Sequence, residues 1–470
     1  MVHNYLCLLY ELWNVNGFLP NALDKTMLEF LIKDYQKVEH NIKHIEHAGE
    51  KALGPRFNVW SNYIGFTKAQ TSLKPITFKE AKKINKWIYP VELFGHLRHS
   101  IDYDSHRTHL KKNFFRDIHK DIIKEVNNNN GKILVNYSHE GWVGDSLFRS
   151  FYEGIKEVNL NPKNVILVLN DITLLDKLKT FLNSNDINID EFPIIINYCY
   201  YVTQSAGFVD VENKINYDDY ISDKKFKFLS LNRRLNLQRF LLLINLYDNI
   251  KDNSSISFDK DLVIDDVARI LNKTEFPNCL TESDALLFEN AKEKLDKLPQ
   301  NSFIDTTELN STTGYNHQAW SPFKDSWISL VTETSFFHQN DFLSEKTWKP
   351  LWYFQPFIVT GRPYTLRYMK ELGYKTFDWL FDESYDAILD NGERINFIIK
   401  EIKRVNEIPF EELKELILNN KETLIHNHNL LEKYGNNRKY FEEKLIDILN
   451  NNIDFVYYDL IKEEKTYEIA

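Results

Sequence analysis

The chain has 470 residues, 43% hydrophobic and 27% charged, with a formal net charge of −10. That length exceeds one ordinary domain and points to two or three. The composition excludes disorder and collagen-like repeats, and the acidic balance argues against a protein that lives on nucleic acid, whose affinity comes from basic side chains.

Glycine is scarce, at 15 residues against 32 Phe, 25 Tyr and 9 Trp. Neither a GxGxxG nor a GxxxxGK[ST] stretch occurs, so the common glycine-loop phosphate cradles are excluded. The cysteines, Cys7, Cys199 and Cys279, lie far apart with no CxxC, which predicts neither a disulfide framework nor a cysteine zinc site. The N-terminal apolar stretch contains Glu11 and lacks a basic start, and so does not read as a signal peptide. The longest apolar run, Phe240 to Leu246, is far shorter than the ~20 residues of a membrane span. These features lead to the expectation of a soluble, cytoplasmic protein.

In chain order, residues 1–125 give no clear strand–helix alternation, apart from helical spacing over 22–49 and a polar helix over 108–126. The asparagine tract at 127–130 marks a break, after which the pattern changes. Strands are predicted at 132–137, 164–170 and 192–202, separated by helices at 145–158 and 173–183. A β-α-β-α-β order implies a parallel sheet with helices on both faces. The polar stretch 203–224 reads as a connection. The alternation then restarts: strand 225–232, helix 237–247, strand 326–333, short helix 346–355 and strand 356–361. Residues 388–470 read as mostly helical.

Two such halves in series predict an α/β protein of two Rossmann-like domains facing a cleft, with an irregular N-terminal extension and a helical tail. The expected boundaries are 1–222 for the extension and the first Rossmann-like domain, 223–440 for the second, and 441–470 for a helical segment packing back. Ligands in such sheets bind beyond the carboxyl ends of the strands, which directs attention to the loops there.

After the first strand come His139 and Glu140, beside Gly141 and Gly144. Both are titratable groups where a general base would sit, and a capping or solvated Glu140 is the alternative. After the first strand of the second half come Asn232, Arg233 and Arg234, then Arg239. Lys224 to Arg239 holds six cations and no acid, a match for phosphate oxygens, with a solvated basic edge as the alternative. Further on, Ser344 reads as a helix N-cap with Glu345 and Lys346 in the first turn. A glutamate there can accept from ribose hydroxyls and a lysine can neutralise a diphosphate, and an ordinary dipole-favoured cap is the alternative. Pro350 is awkward so far into a helix and implies a later start or a kink.

The order Ser329-Leu-Val-Thr-Glu-Thr-Ser335, then Ser344-Glu-Lys-Thr347, then Pro356-Phe-Ile-Val-Thr-Gly361 resembles the donor-binding domain of GT-B glycosyltransferases, most nearly the fucosyltransferase type. With Asn232-Arg233…Arg239 and Gly373-Tyr-Lys-Thr-Phe377 it is also similar to a group of glycosyltransferase-like proteins of viruses and bacteria. The likeness covers about 225–400. It implies that Arg239 and Lys346 bind the pyrophosphate of a nucleoside-diphosphate sugar, that Glu345 binds ribose or sugar, and that Glu333 sits near the donor sugar. The spacing from Asn232 to Arg239 departs from the fucosyltransferase pattern, which leaves Arg233 and Arg234 open. The expected activity is sugar transfer to a hydroxyl acceptor, with Glu140 or His139 as base and no metal or resident cofactor. A non-catalytic binding protein and a transferase acting on modified DNA bases are the alternatives. The histidine pairs His96, His99, His106 and His109, and the Asp102-Tyr103-Asp104 triplet, read as solvated or core residues rather than a metal site.

Overall fold

The computed structural model describes residues 6–9, 73–76, 87–92, 120–128, 130–138, 143–198, 216–234, 237–259, 320–336, 343–435, 447–450, 456–460 and 464–466, with a few others singly or in pairs. The chain divides into two units, Met1–Tyr200 with Arg438–Ala470, and Tyr201–Asn437. The strands among the described residues are β1 (Leu6–Leu9), β2 (Leu73–Ile76), β3 (Trp87–Glu92), β4 (Lys132–Asn136), β5 (Val165–Leu169), β6 (Ile194–Asn197), β7 (Phe226–Arg234), β8 (Ser254–Asp259), β9 (Ser326–Thr332), β10 (Phe357–Thr360), β11 (Tyr457–Asp459) and β12 (Glu464–Thr466).

The first unit holds a sheet ordered β2-β1-β3-β4-β5-β6-β11-β12. Its pairs are parallel except β11 with β12. Strands β4, β5 and β6 are buried at every residue. Such runs of Ile, Val and Leu suit a parallel sheet covered on both faces. Parallel neighbours need crossovers, here the Asp145–Glu157 and Leu174–Ser184 helices. Because β4, β5 and β6 are sequential neighbours, right-handed crossovers bring both helices to one face, not one to each as expected. There Phe148 and Phe181 meet with ring centroids 5.4 Å apart, in a core shared with Ile133, Val135 and Leu167. Gly131, just before β4, is required by this packing: a Cβ would lie 2.3 Å from the Trp87 ring.

The tail is helical over Asn391–Glu407, Phe410–Asn419 and Lys421–Gly435, as expected, and departs from that reading in β11 and β12. Tyr457 and Tyr458 are buried, at 3% and 7% exposure, and β11 pairs parallel with β6. Aromatic residues favour a pleated, half-buried surface over a helix. The three-residue β12, with Glu464 and Lys465, is a short charged strand of the kind that closes a sheet edge.

The second unit holds a four-stranded sheet ordered β8-β7-β9-β10, with every pair parallel. The Leu237–Ile250 helix links β7 to β8, and the Glu345–Trp352 helix lies between β9 and β10 in the chain. The carboxyl ends of all four strands therefore share one edge. Trp348, Trp352, Tyr353 and Phe354 are buried, as helical spacing predicts for a core. The fully buried Trp348 alone contributes on the order of 2 kcal/mol by leaving water. The helix begins directly on its Ser344 cap rather than later, so Pro350 is its sixth residue. Pro350 offers no N–H to the Lys346 carbonyl, and the helix ends two residues later.

Candidate functional site

The carboxyl edge of the second sheet gathers several of the singled-out residues. Glu333 follows β9 and is fully buried. Its N–H donates to the Thr360 carbonyl at 3.0 Å, which extends the β9–β10 ladder by one residue. Its carboxylate accepts the Ser344 N–H at 3.1 Å, the Ser344 hydroxyl at 2.7 Å, the Thr334 N–H at 3.2 Å and the Thr347 hydroxyl. A helix N-terminus exposes N–H groups that lack partners and carries partial positive charge. Glu333 answers both at the start of the Glu345–Trp352 helix. It therefore fixes that helix start against the strand edge.

Ser344 caps the helix as expected, its hydroxyl accepting the Lys346 N–H at 3.4 Å. The Lys346 Nζ lies 2.9 Å from Glu345 Oε1 and 3.1 Å from Ser344 Oγ. Both side chains keep some solvent access, 26% for Lys346 and 14% for Glu345. Burial pushes the Glu345 carboxyl up, but the Lys346 and Lys349 charges and the Lys346 hydrogen bond outweigh it and hold the carboxyl below its ordinary value. The helix thus presents one fixed carboxylate and one ammonium at its N-terminus.

Asn232 and Arg239 support this edge from beneath. Asn232 is buried; its amide donates to Ser230 Oγ at 2.6 Å and its carbonyl accepts the Thr332 hydroxyl at 2.8 Å. Arg239, 7% exposed, donates to the Thr332 carbonyl at 3.4 Å. Its neighbour Gln238 donates to the carbonyls of Glu333 at 2.6 Å and Thr334 at 3.1 Å. The first turn of the Leu237–Ile250 helix therefore holds the turn that carries Glu333.

The basic stretch does not act as a unit. Strand β7 continues through Arg234 rather than ending at Asn232, with a register shift between Asn232 and Arg234 where β7 pairs β8. That shift is the mark of a bulge at Arg233. Lys224 and Lys227 belong to the opposite end of the strand. Lys224 is buried, donates to the Lys324 carbonyl at 3.0 Å, and sits 3.9 Å from the centre of the Tyr220 ring. Burial pulls its ammonium down to about 7. Lys227 donates to the carbonyls of Asn406 at 2.6 Å and Ile408 at 2.5 Å, at the C-terminus of the Asn391–Glu407 helix. A cation is favoured there by the helix dipole. The six-cation reading is corrected accordingly.

Sequence reasoning missed Arg394. It is fully buried and donates to the carbonyls of Gly361 (3.1 Å), Ile388 (2.8 Å), Leu389 (3.2 Å) and Phe336 (3.3 Å) and to Asn391 Oδ1 (2.7 Å). A guanidinium has five N–H donors, and five acceptors meet them. Arg394 thereby joins the loops after β9 and β10 to the start of its own helix. The available signal was its place one turn from Ile398 on the apolar stripe of that helix.

His139, Glu140, Gly141 and Trp142 lie outside the described residues, as do the four paired histidines and the Asp102–Asp104 triplet. At the carboxyl edge of the first sheet, buried polar side chains form a row. Asn136 Oδ1 accepts the Ser138 hydroxyl at 2.7 Å, and Asn170 donates to the Ser138 carbonyl at 3.1 Å. Asn197 donates to the Asp171 carbonyl at 3.0 Å and to Asp459 Oδ2 at 2.8 Å. Asp171 also pairs with Lys177 at 2.6 Å. Among the described residues no group of three or more His, Cys, Asp or Glu could hold a metal ion, and no helix is long and apolar enough to cross a membrane.

No protein-family model matches the chain, and no curated protein does. Solved structures to which it bears a loose backbone likeness include an alpha,alpha-trehalose 6-phosphate synthase from Burkholderia multivorans, with 12% identity and a TM-score of 0.39 over 79% of this chain and 73% of that one. Another is a UDP-forming alpha,alpha-trehalose-phosphate synthase from Burkholderia vietnamiensis, with 13% identity and a TM-score of 0.37 over 88% and 86%. The likeness is one of chain path alone.

Proposed function

We propose that this protein is a glycosyltransferase of GT-B type that moves a sugar from a nucleoside-diphosphate donor to a hydroxyl acceptor. The observation that carries the reading is the start of the Glu345–Trp352 helix, where Glu345 and Lys346 are held at the carboxyl edge of a parallel sheet by the buried Glu333 clamp. In this reading Lys346 and the helix N-terminus neutralise the diphosphate, and Glu345 accepts hydrogen bonds from ribose hydroxyls. Arg233, near the end of β7, is proposed for a second phosphate contact. Asn232, Glu333 and Arg239 hold the edge in place.

The chemistry asks for little else. The acceptor oxygen attacks the anomeric carbon, the bond from that carbon to the diphosphate oxygen breaks, and the electron pair leaves with the diphosphate. Preorganised positive charge at Lys346 stabilises that leaving group. The acceptor proton passes to a base, for which Glu140 and His139 are proposed from their place after β4. No resident cofactor or metal enters the proposal.

The test is turnover. Wild-type protein is incubated with UDP-, GDP- and CMP-sugars, and released nucleotide is measured with and without glycan acceptors. Release from one donor, enhanced by an acceptor, is the expected result. A donor that binds without release would make the chain a binding protein, and failure of every donor to bind would remove the reading altogether.

A further inference from the structure

The loops after β10 carry a feature that phosphate and ribose binding leave unused. Three large hydrophobic side chains are exposed among the described residues, and two of them, Tyr364 at 38% and Leu389 at 69%, lie on these loops. Their backbones are tied to the strand edge. The Tyr364 N–H donates to the Asp386 carbonyl at 2.6 Å. One guanidinium, that of Arg394, bonds the carbonyls of both Gly361 and Leu389, at 3.1 and 3.2 Å. Gly361 in turn runs so close to Glu333 that a Cβ on it would lie 3.7 Å from the Glu333 Cβ. The exposed pair therefore stands on loops anchored to the strand ends that also hold the start of the Lys346 helix.

Tyr364 is held in an unfavourable backbone state. Its φ is 67°, the left-handed region that side chains with a Cβ rarely adopt. The Asp386 carboxylate keeps the turn in place by accepting the N–H groups of Leu366 at 2.9 Å and Arg367 at 3.0 Å. Strain of this kind persists where surrounding structure over-determines it, often at ligand clamps. Core packing does not account for the ring, since it is substantially exposed. The Arg367 guanidinium lies 4.2 Å from the ring centroid and so steadies the ring's orientation.

From this juxtaposition we propose that the Tyr364 ring is the stacking platform for the base of the donor nucleotide, with Leu389 at its margin. The inference rests on the proposed function and extends it, by saying which surface takes the base once the diphosphate lies at Lys346. A planar base offers a π-face to an aromatic ring whichever base it is, so stacking supplies affinity with modest base preference. Only Arg362 and Pro363 separate Tyr364 from Gly361, in a bend and turn, so the ring stays close to the carboxyl end of β10.

The experiment compares binding of UDP, GDP and inorganic pyrophosphate to wild type, Tyr364→Gly and Tyr364→Phe by calorimetry. Glycine removes the ring and relieves the left-handed φ, so this variant retains the loop. Expected is a loss of roughly tenfold or more in nucleoside-diphosphate affinity for Tyr364→Gly, with pyrophosphate affinity unchanged and Tyr364→Phe behaving as wild type. Equal nucleotide affinity in wild type and Tyr364→Gly overturns this inference alone. Equal losses for nucleotide and pyrophosphate also overturn it, since the ring would then serve the phosphate site. If none of the three probes binds wild type, the proposed function fails and this inference with it.

Discussion

The Glu333 carboxylate accepts both the N–H and the hydroxyl of Ser344, at 3.1 and 2.7 Å, across eleven residues of chain. A buried acid thus caps the cap of the Glu345–Trp352 helix. Glu333→Ala would strand the buried donors of Ser344 and Thr347, each costing ~1–3 kcal/mol when unsatisfied. A total loss of about 3 kcal/mol in urea unfolding is expected, with Glu333→Gln losing less because one carbonyl oxygen still accepts. A loss below ~1 kcal/mol for the alanine variant would mean that the clamp does not hold the helix start.

Arg394 meets its five acceptors with the planar fork of a guanidinium. Lysine keeps the charge but has three donors on one nitrogen and cannot span those carbonyls. Arg394→Lys is expected to lose about 2–4 kcal/mol of stability. Unfolding curves that superimpose on wild type would contradict the bridging role.

Lys224 makes a pH-dependent contribution. Its ammonium titrates at about 7 in the folded protein, lowered from 10.5 chiefly by burial. Between those values the unfolded chain binds more protons than the folded one, so stability rises with pH across that window. The slope from this group approaches ~1.4 kcal/mol per pH unit. Lys132, lowered by burial to about 8, adds in the same direction above that pH. Lys224→Met should show a flatter stability–pH curve than wild type between pH 7.5 and 9.5, read by denaturant midpoints. Parallel curves would show that Lys224 is charged in the fold.

The second sheet was legible because its signals are local. Apolar runs end at Glu333 and Gly361, and Ser344-Glu345-Lys346 announces a capped helix start within a few residues. The basic stretch misled because strand geometry separates what sequence brings together. Along β7 each residue advances ~3.3 Å, so Lys227 and Arg234 end up roughly 20 Å apart, the lysine serving a helix C-terminus and the arginine the strand's far end. The roles of Glu333 and Arg394 depend on partners in other elements, and spacing alone does not contain those. The tail strand β11 depends on β6, some 260 residues earlier, for its pairing. A short aromatic run offers no local sign of such a partner.

Lys346, at the start of a clamped helix, is the residue proposed to hold the donor's diphosphate. The direct test of that role is the thermal stabilisation of wild type and Lys346→Ala by UDP and GDP. A ligand at 100 times its Kd adds ~2.7 kcal/mol to the native state. Lys346 is partly exposed and its ion pair with Glu345 is of modest worth, at most ~1 kcal/mol, so the variant should fold as wild type does. One nucleoside diphosphate is expected to raise the wild-type melting temperature, and Lys346→Ala to lose at least about tenfold in affinity for it, as removal of a charged hydrogen bond implies. Equal stabilisation of the two proteins would contradict that role.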